Sequence, residues 1–124
     1  MNEATPSQIL VVRLGSIGDV LLATPLVRVL HRRYPAARLR FLVKAAYADL
    51  VRHNPCVDEV LTWPAGEEPG RGAFVLSRAA RELAGRIRAG GALWAVDLQA
   101  SPRSRAFLTL LRPQRRFVYR KDYL

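Results

Sequence analysis

With half of its 124 residues hydrophobic, the chain can bury a core, which excludes a disordered polymer and predicts one domain. Twenty basic residues against ten acidic ones leave a formal charge of +10, and all the basic residues except Lys44 and Lys121 are arginine. A surplus of this size calls for an acidic partner, without choosing among nucleic acid, a phosphorylated glycan, an anionic membrane surface and a nucleotide.

Residues 1–8 read as a flexible N-terminal tail. The first strand is predicted from about Gln8 to Leu14. Its run Ile9-Leu10-Val11-Val12 is apolar at every position, the pattern of a parallel strand covered on both faces. It breaks at Gly15-Ser16-Ile17-Gly18-Asp19, and helical spacing follows through Val20, Leu21, Ala23, Leu26, Val27 and Leu30. Gly15 is expected to take the positive φ of an abrupt strand exit, and Gly18 to let backbone or ligand come close. A strand, a glycine turn and a helix in succession can present N–H groups to an anion or a sugar. The spacing is G-x-x-G, so the dinucleotide fingerprint is not met. The same residues have a plainer use, with Ser16 capping the helix and Asp19 complementing its dipole.

Thr24-Pro25 either kinks that helix or restarts it with Thr24 as N-cap. His31-Arg32-Arg33 ends it, placing cations at the negative end of the dipole. A second strand is expected at Leu39–Val43, a short helix at about Ala46–His53 and a third strand at Glu59–Thr62. The segment Pro64–Gly72, PAGEEPGRG, is a polar loop. A long helix is predicted over Ala73–Ala89, with Phe74, Leu76, Ala80, Leu83, Ala84 and Ile87 inward and arginines 78, 81, 86 and 88 on a solvated face. Gly90-Gly91 stops it. A fourth strand, Leu93–Leu98, leads through Gln99–Arg103 into a helix at about Ser104–Leu111, and Phe117–Tyr119 is a fifth strand.

Alternating strands and helices predict an α/β domain with a Rossmann-like parallel sheet and helices on both faces. Ligands of such sheets lie at the carboxyl ends of the strands, where the Gly15–Asp19 turn, Lys44 and the Gln99–Arg103 loop converge. Cys56 cannot form an internal disulfide and is expected to be structural, in a reducing compartment. MNEATPSQ lacks the basic start of a secretory leader, and Arg13 and Asp19 interrupt the apolar run after it. No signal peptide or membrane span is therefore expected, and a cytoplasmic location is.

Three blocks, RLGSIGDVLLATPLVRVLHRRYP, LRFLVKAAYADLVRHNPCVDEVL and VDLQASPRSR, resemble the start of the family 9 glycosyltransferases, the bacterial ADP-heptose:lipopolysaccharide heptosyltransferases and their relatives. The resemblance implies a GT-B enzyme with two Rossmann-like domains facing across a cleft. It transfers heptose from ADP-heptose to the lipopolysaccharide inner core with inversion and without a required metal or other cofactor. It implies Asp19 as catalytic base, and Ser16, Ile17 and Gly18 lining the cleft. Gln99, Ser101 and Arg103 would stand near the acceptor; Lys44 is placed with them by the strand-end rule alone. The partners implied are a phosphorylated glycolipid acceptor (lipid A–inner core), a nucleotide-sugar donor and peripheral contact with the inner membrane; nucleic acid is not expected. Members of the family are two to three times as long. Residues 9–124 are therefore expected to form an incomplete N-terminal, acceptor-side domain, lacking the C-terminal donor domain and inactive alone. The family commonly has glycine after D-L-Q, where this chain has Ala100. A basic Rossmann-like module binding nucleic acid or another polyanion is the alternative. It has no helix-turn-helix, zinc spacing or interleaved stacking aromatics to support it.

Overall fold

The computed structural model describes residues 5–64 and 77–119. Five parallel strands form one sheet: β1 (Gln8–Val12), β2 (Arg38–Lys44), β3 (Glu59–Trp63), β4 (Leu93–Asp97) and β5 (Arg115–Val118), in the order β3-β2-β1-β4-β5. β1 is central and buried at all five positions, as its unbroken apolar run requires. Strand pleating divides that run between two layers. Leu10, Val12 and Leu14 face one core with Phe107, Leu108 and Ile87 of helices α4 (Arg78–Arg88) and α5 (Pro102–Leu111). Ile9 and Val11 face a second core with Val20, Val27 and Val51 of α1 (Ile17–Leu22), α2 (Thr24–Arg33) and α3 (Asp49–Arg52). Burial of one such aliphatic or aromatic side chain contributes about 1.5–3 kcal/mol, so two filled layers hold the sheet from both sides. Aromatic contacts join them to the edges: Trp94 meets Tyr34 edge-to-face at 5.1 Å, and Trp63 meets Phe107 at 5.1 Å.

Several boundaries differ from the sequence expectation. β1 ends at Val12, because the backbones of Arg13 and Leu14 turn toward β2 and toward the Gln99 side chain. The chain restarts its helix at Thr24, but the N-cap is Ala23; Thr24 is the first helical residue, and its hydroxyl donates to Leu21 O at 2.7 Å. The expected helix at Ala46–His53 is a 3₁₀ turn at Ala45–Tyr47 followed by α3. Residues 5–8 are not a loose tail. Ser7 N–H donates to Ala92 O at 2.9 Å, and Gln8 belongs to β1 with its amide bonded to Ile87 O at 2.5 Å and to Arg40 at 3.0 Å. The long helix has its cap at Ser77, whose hydroxyl accepts from Ala80 N at 3.2 Å, so it starts at Arg78. Phe74, Leu76 and nearly all of the polar loop lie outside the described residues. The four arginines of α4 are exposed, and Arg78 pairs with Glu82. Gly91 takes φ +96 just past the helix, which explains the glycine there. β5 begins two residues earlier than expected, at Arg115. Among the described residues no helix is long and apolar enough to cross a membrane.

Candidate functional site

The strand order reverses direction between β1 and β4: one half of the sheet runs through β2 and β3, the other through β5. The crevice above such a switch point is where the loops diverge and a ligand can enter. The loops after β1, β2 and β4 line a groove of about 500 Å³ there. Ser16, Lys44, Gln99, Ser101 and Arg103, five of the eight residues expected at the site, border it together with Leu14, Gly15, Tyr47 and Pro102.

Each wall has a local cause. Gly15 does not use a positive φ. It is glycine because the Tyr47 ring lies against it, and a Cβ at Gly15 would stand 2.9 Å from Tyr47 Cε2. Gly18 meets nothing within 4 Å of a built Cβ and leaves the outer side of the turn open. Lys44 is the last residue of β2 and half-buried.

The loop after β4 is ordered by Asp97, which is fully buried. Its Oδ1 accepts from Gln99 N at 3.0 Å and Ala100 N at 2.8 Å, and its Oδ2 accepts from Ser104 Oγ at 2.9 Å. Ser101 then caps α5, its hydroxyl accepting from Ser104 N at 3.2 Å. Gln99 spans the gap to the neighbouring strand, where its Oε1 accepts from Leu14 N at 3.1 Å. Arg103 places its guanidinium 5.8 Å above the Trp63 ring. Gln99 and Ser101 therefore border the groove and also build it.

Ala100 sits at φ +52, in the left-handed region. That conformation costs an L-residue about 1–2 kcal/mol, while glycine there would add unfolded-chain entropy of about 0.4–1 kcal/mol. Ala100→Gly is expected to stabilise the domain by about 0.5 kcal/mol. Urea denaturation checks this, and a loss of stability would mean that the methyl group has a packing role outweighing the strain.

Asp19 stands beside this groove and is joined to it through Ser16. Its Oδ2 accepts from Ser16 Oγ at 3.2 Å and Ser16 N at 3.4 Å, and meets Arg13 Nη2 at 2.6 Å. Among the described residues no donor is assigned to Oδ1, and the side chain is 37% exposed. One oxygen is anchored and the other is available. The Arg13 hydrogen bond, followed by the Ser16 backbone bond, holds the Asp19 carboxyl below its ordinary range. Folding stability from these contacts is present above the ordinary carboxylate pKa and is lost as pH falls through the lowered one.

Asp19 also borders a second groove of about 380 Å³ with Arg13, Leu22, Ala23, Leu26, Leu98 and Tyr119. Ile17 and Gly18, expected on the turn, are the first two residues of α1, where they are exposed and border neither groove. Among the described residues no group of three or more metal-ligating side chains occurs. Cys56 is half-buried at the margin of the second core, in keeping with a structural role.

Arg13, Tyr47 and Asp97 were not singled out from the sequence. The available signal for Arg13 and Asp97 is a charge placed directly at the end of an apolar strand; Tyr47 has no comparable signal.

No protein-family model and no curated protein matches the sequence. Solved structures do match. The glycosyltransferase family 9 protein from Veillonella parvula DSM 2008 superposes with a TM-score of 0.77 at 21% identity, over 94% of this chain and 36% of that one. E. coli ADP-heptose lps heptosyltransferase II gives 0.69 at 24% identity, over 90% and 30%. An E. coli heptosyltransferase solved with ADP gives 0.61 at 20%, over 90% and 34%. The chain spans about a third of the length of these structures, and over that span its fold is the one found in glycosyltransferase family 9 and the heptosyltransferases.

Proposed function

We propose that the chain is the acceptor-side part of an inverting glycosyltransferase of the heptosyltransferase kind, with Asp19 as general base. One observation carries this reading: Asp19 is fixed through Oδ2 beside a polar groove while Oδ1 keeps its lone pairs for a substrate hydroxyl. In the proposed step an acceptor hydroxyl attacks the anomeric carbon of a nucleotide-sugar. The new C–O bond forms as the bond to the diphosphate breaks, and Asp19 takes the hydroxyl proton. A carboxylate held below its ordinary range is fully ionised at neutral pH but a weak base. It can accept a proton only once C–O bond formation has made the attacking hydroxyl acidic.

Lys44 and Arg103 border the groove as cations suited to phosphates or acid-sugar carboxylates on a lipid A–inner core acceptor. The donor, taken as ADP-heptose, is assigned to protein beyond these 124 residues, and this chain alone is expected to be inactive. A cytoplasmic location at the inner-membrane surface fits the same substrates.

Calorimetric titration with a Kdo–lipid A analogue, and separately with ADP-heptose, tests the assignment. The acceptor analogue is expected to bind, Arg103→Ala to weaken it about tenfold, as loss of one charge-assisted contact predicts, and ADP-heptose not to bind. Donor binding without acceptor binding would show that the groove takes the other ligand. The exposed arginines of α4 favour a second reading, a polyanion module. It gains support only if neither ligand binds while affinity for DNA falls steeply with salt.

A further inference from the structure

Arg13 lies at the covered end of the central strand, with its side chain only 9% exposed. Its backbone N–H donates to Leu42 O at 3.1 Å, so β2 fixes the point from which the side chain departs. The guanidinium then divides between two elements. Nη1 donates to Leu98 O at 2.8 Å, just after β4, and Nη2 meets Asp19 Oδ2 at 2.6 Å on α1. A buried guanidinium costs several kcal/mol unless hydrogen bonds and an opposite charge compensate it, and an apolar side chain could fill the same space without that cost. Both compensating partners belong to the site. Leu98 leads into the loop that borders the polar groove, and Asp19 follows the glycine turn.

We propose that Arg13 is a positioning residue: its fork locks Asp19 through Oδ2 and ties it to the loop after β4, leaving Oδ1 as the oxygen that meets substrate. The inference rests on the reading of Asp19 as base. The fork is what the geometry requires, since two N–H groups set at a fixed angle reach a carbonyl and a carboxylate on different elements together. A lysine ammonium supplies the charge without that shape. Among the described residues, the other polar groups beside Asp19 are Ser16, which is bonded to it, and Tyr119, which borders the second groove with it. An arginine that merely satisfied the Leu98 carbonyl would matter for stability and would leave the behaviour of Asp19 alone.

Carboxyl-carbon NMR titration of Asp19 in the 124-residue chain separates the two roles. In Arg13→Met the Asp19 midpoint is expected to shift upward. In Arg13→Lys it shifts upward by less, and the Ser16 and Gln99 amide signals move in both variants. An unmoved midpoint in folded Arg13→Met, or a lysine variant indistinguishable from the parent, would overturn the proposal. If Arg13→Met does not fold, the lysine variant decides by the same criterion. Failure of the acceptor to bind the parent chain would remove the acceptor-side reading and leave this titration standing. An unmoved midpoint with acceptor binding intact would remove the positioning role alone.

Discussion

Asp97→Ala is expected to destabilise the domain by about 3 kcal/mol, because it strips the partner from the Gln99 and Ala100 N–H groups, each costing about 1–3 kcal/mol when left unsatisfied, and leaves Ser104 Oγ only Ser101 O to donate to. A protein of this size has roughly 5–15 kcal/mol in all, so the change is a large fraction of its stability. The expected effect is local as well as global. The Gln99 and Ala100 N–H groups are held by Oδ1, and that hold gives the loop its sharp exit from β4 and brings Ser101 to the cap of α5. Asp97→Asn separates the roles of shape and charge. Its carbonyl oxygen can keep the two loop N–H groups. Its amide would face Ser104 Oγ, whose proton can turn to Ser101 O at 3.0 Å while the oxygen accepts instead. The asparagine variant is therefore expected to lose about half as much as alanine. Urea denaturation of both variants checks this. Equal losses, or an alanine loss below about 1 kcal/mol, would mean that the buried carboxylate is not what holds the loop.

The parts of the fold that rest on one strand or one helix were legible in the sequence. Ile9 to Val12 could only be a strand covered on both faces, and the alternation of strands with helical segments fixed a parallel sheet whose loops converge at one end. Lys44, Gln99, Ser101 and Arg103 were placed at the site by that rule, and they do border one groove. The unread part depended on contacts between elements far apart in the chain. Arg13 and Asp97 each end an apolar run, and nothing local tells a strand-ending charge that points to solvent from one whose partners lie on another loop. Gly15 shows the same limit. Its glycine was traced to backbone conformation, while the cause is the ring of Tyr47, 32 positions along the chain. Residues 1–8 read as a flexible tail, yet Gln8 is buried against α4 and Arg40.

In an enzyme that joins these residues to a donor-binding domain, Asp19→Asn is expected to lower kcat by about 10²–10⁴, the range that a positioned general base supplies, while acceptor affinity stays within a few-fold. Asparagine is the informative change because its carbonyl oxygen can occupy the Oδ2 position and keep the bonds from Ser16 and Arg13. Only the lone pairs at Oδ1 are replaced, by an amide that cannot take a proton. A residue that only closes the capping box with Ser16 would tolerate that exchange, since the amide oxygen can still accept from Ser16 N–H, and kcat would then change little. The pH dependence adds a second discriminator. Arg13 and Ser16 hold the carboxyl below its ordinary range, so the acid limb of kcat/KM is expected below the pH at which an unperturbed carboxylate titrates. Arg13→Met should raise that limb, since the lost hydrogen bond favoured the ionised form. The same variant also makes Asp19 a stronger base, so the rate lost through misplacement is partly returned above the new midpoint. A limb that stays in place when Arg13 is changed, or an asparagine enzyme that turns over normally, would move the proton acceptor elsewhere and leave Asp19 as the end of a turn.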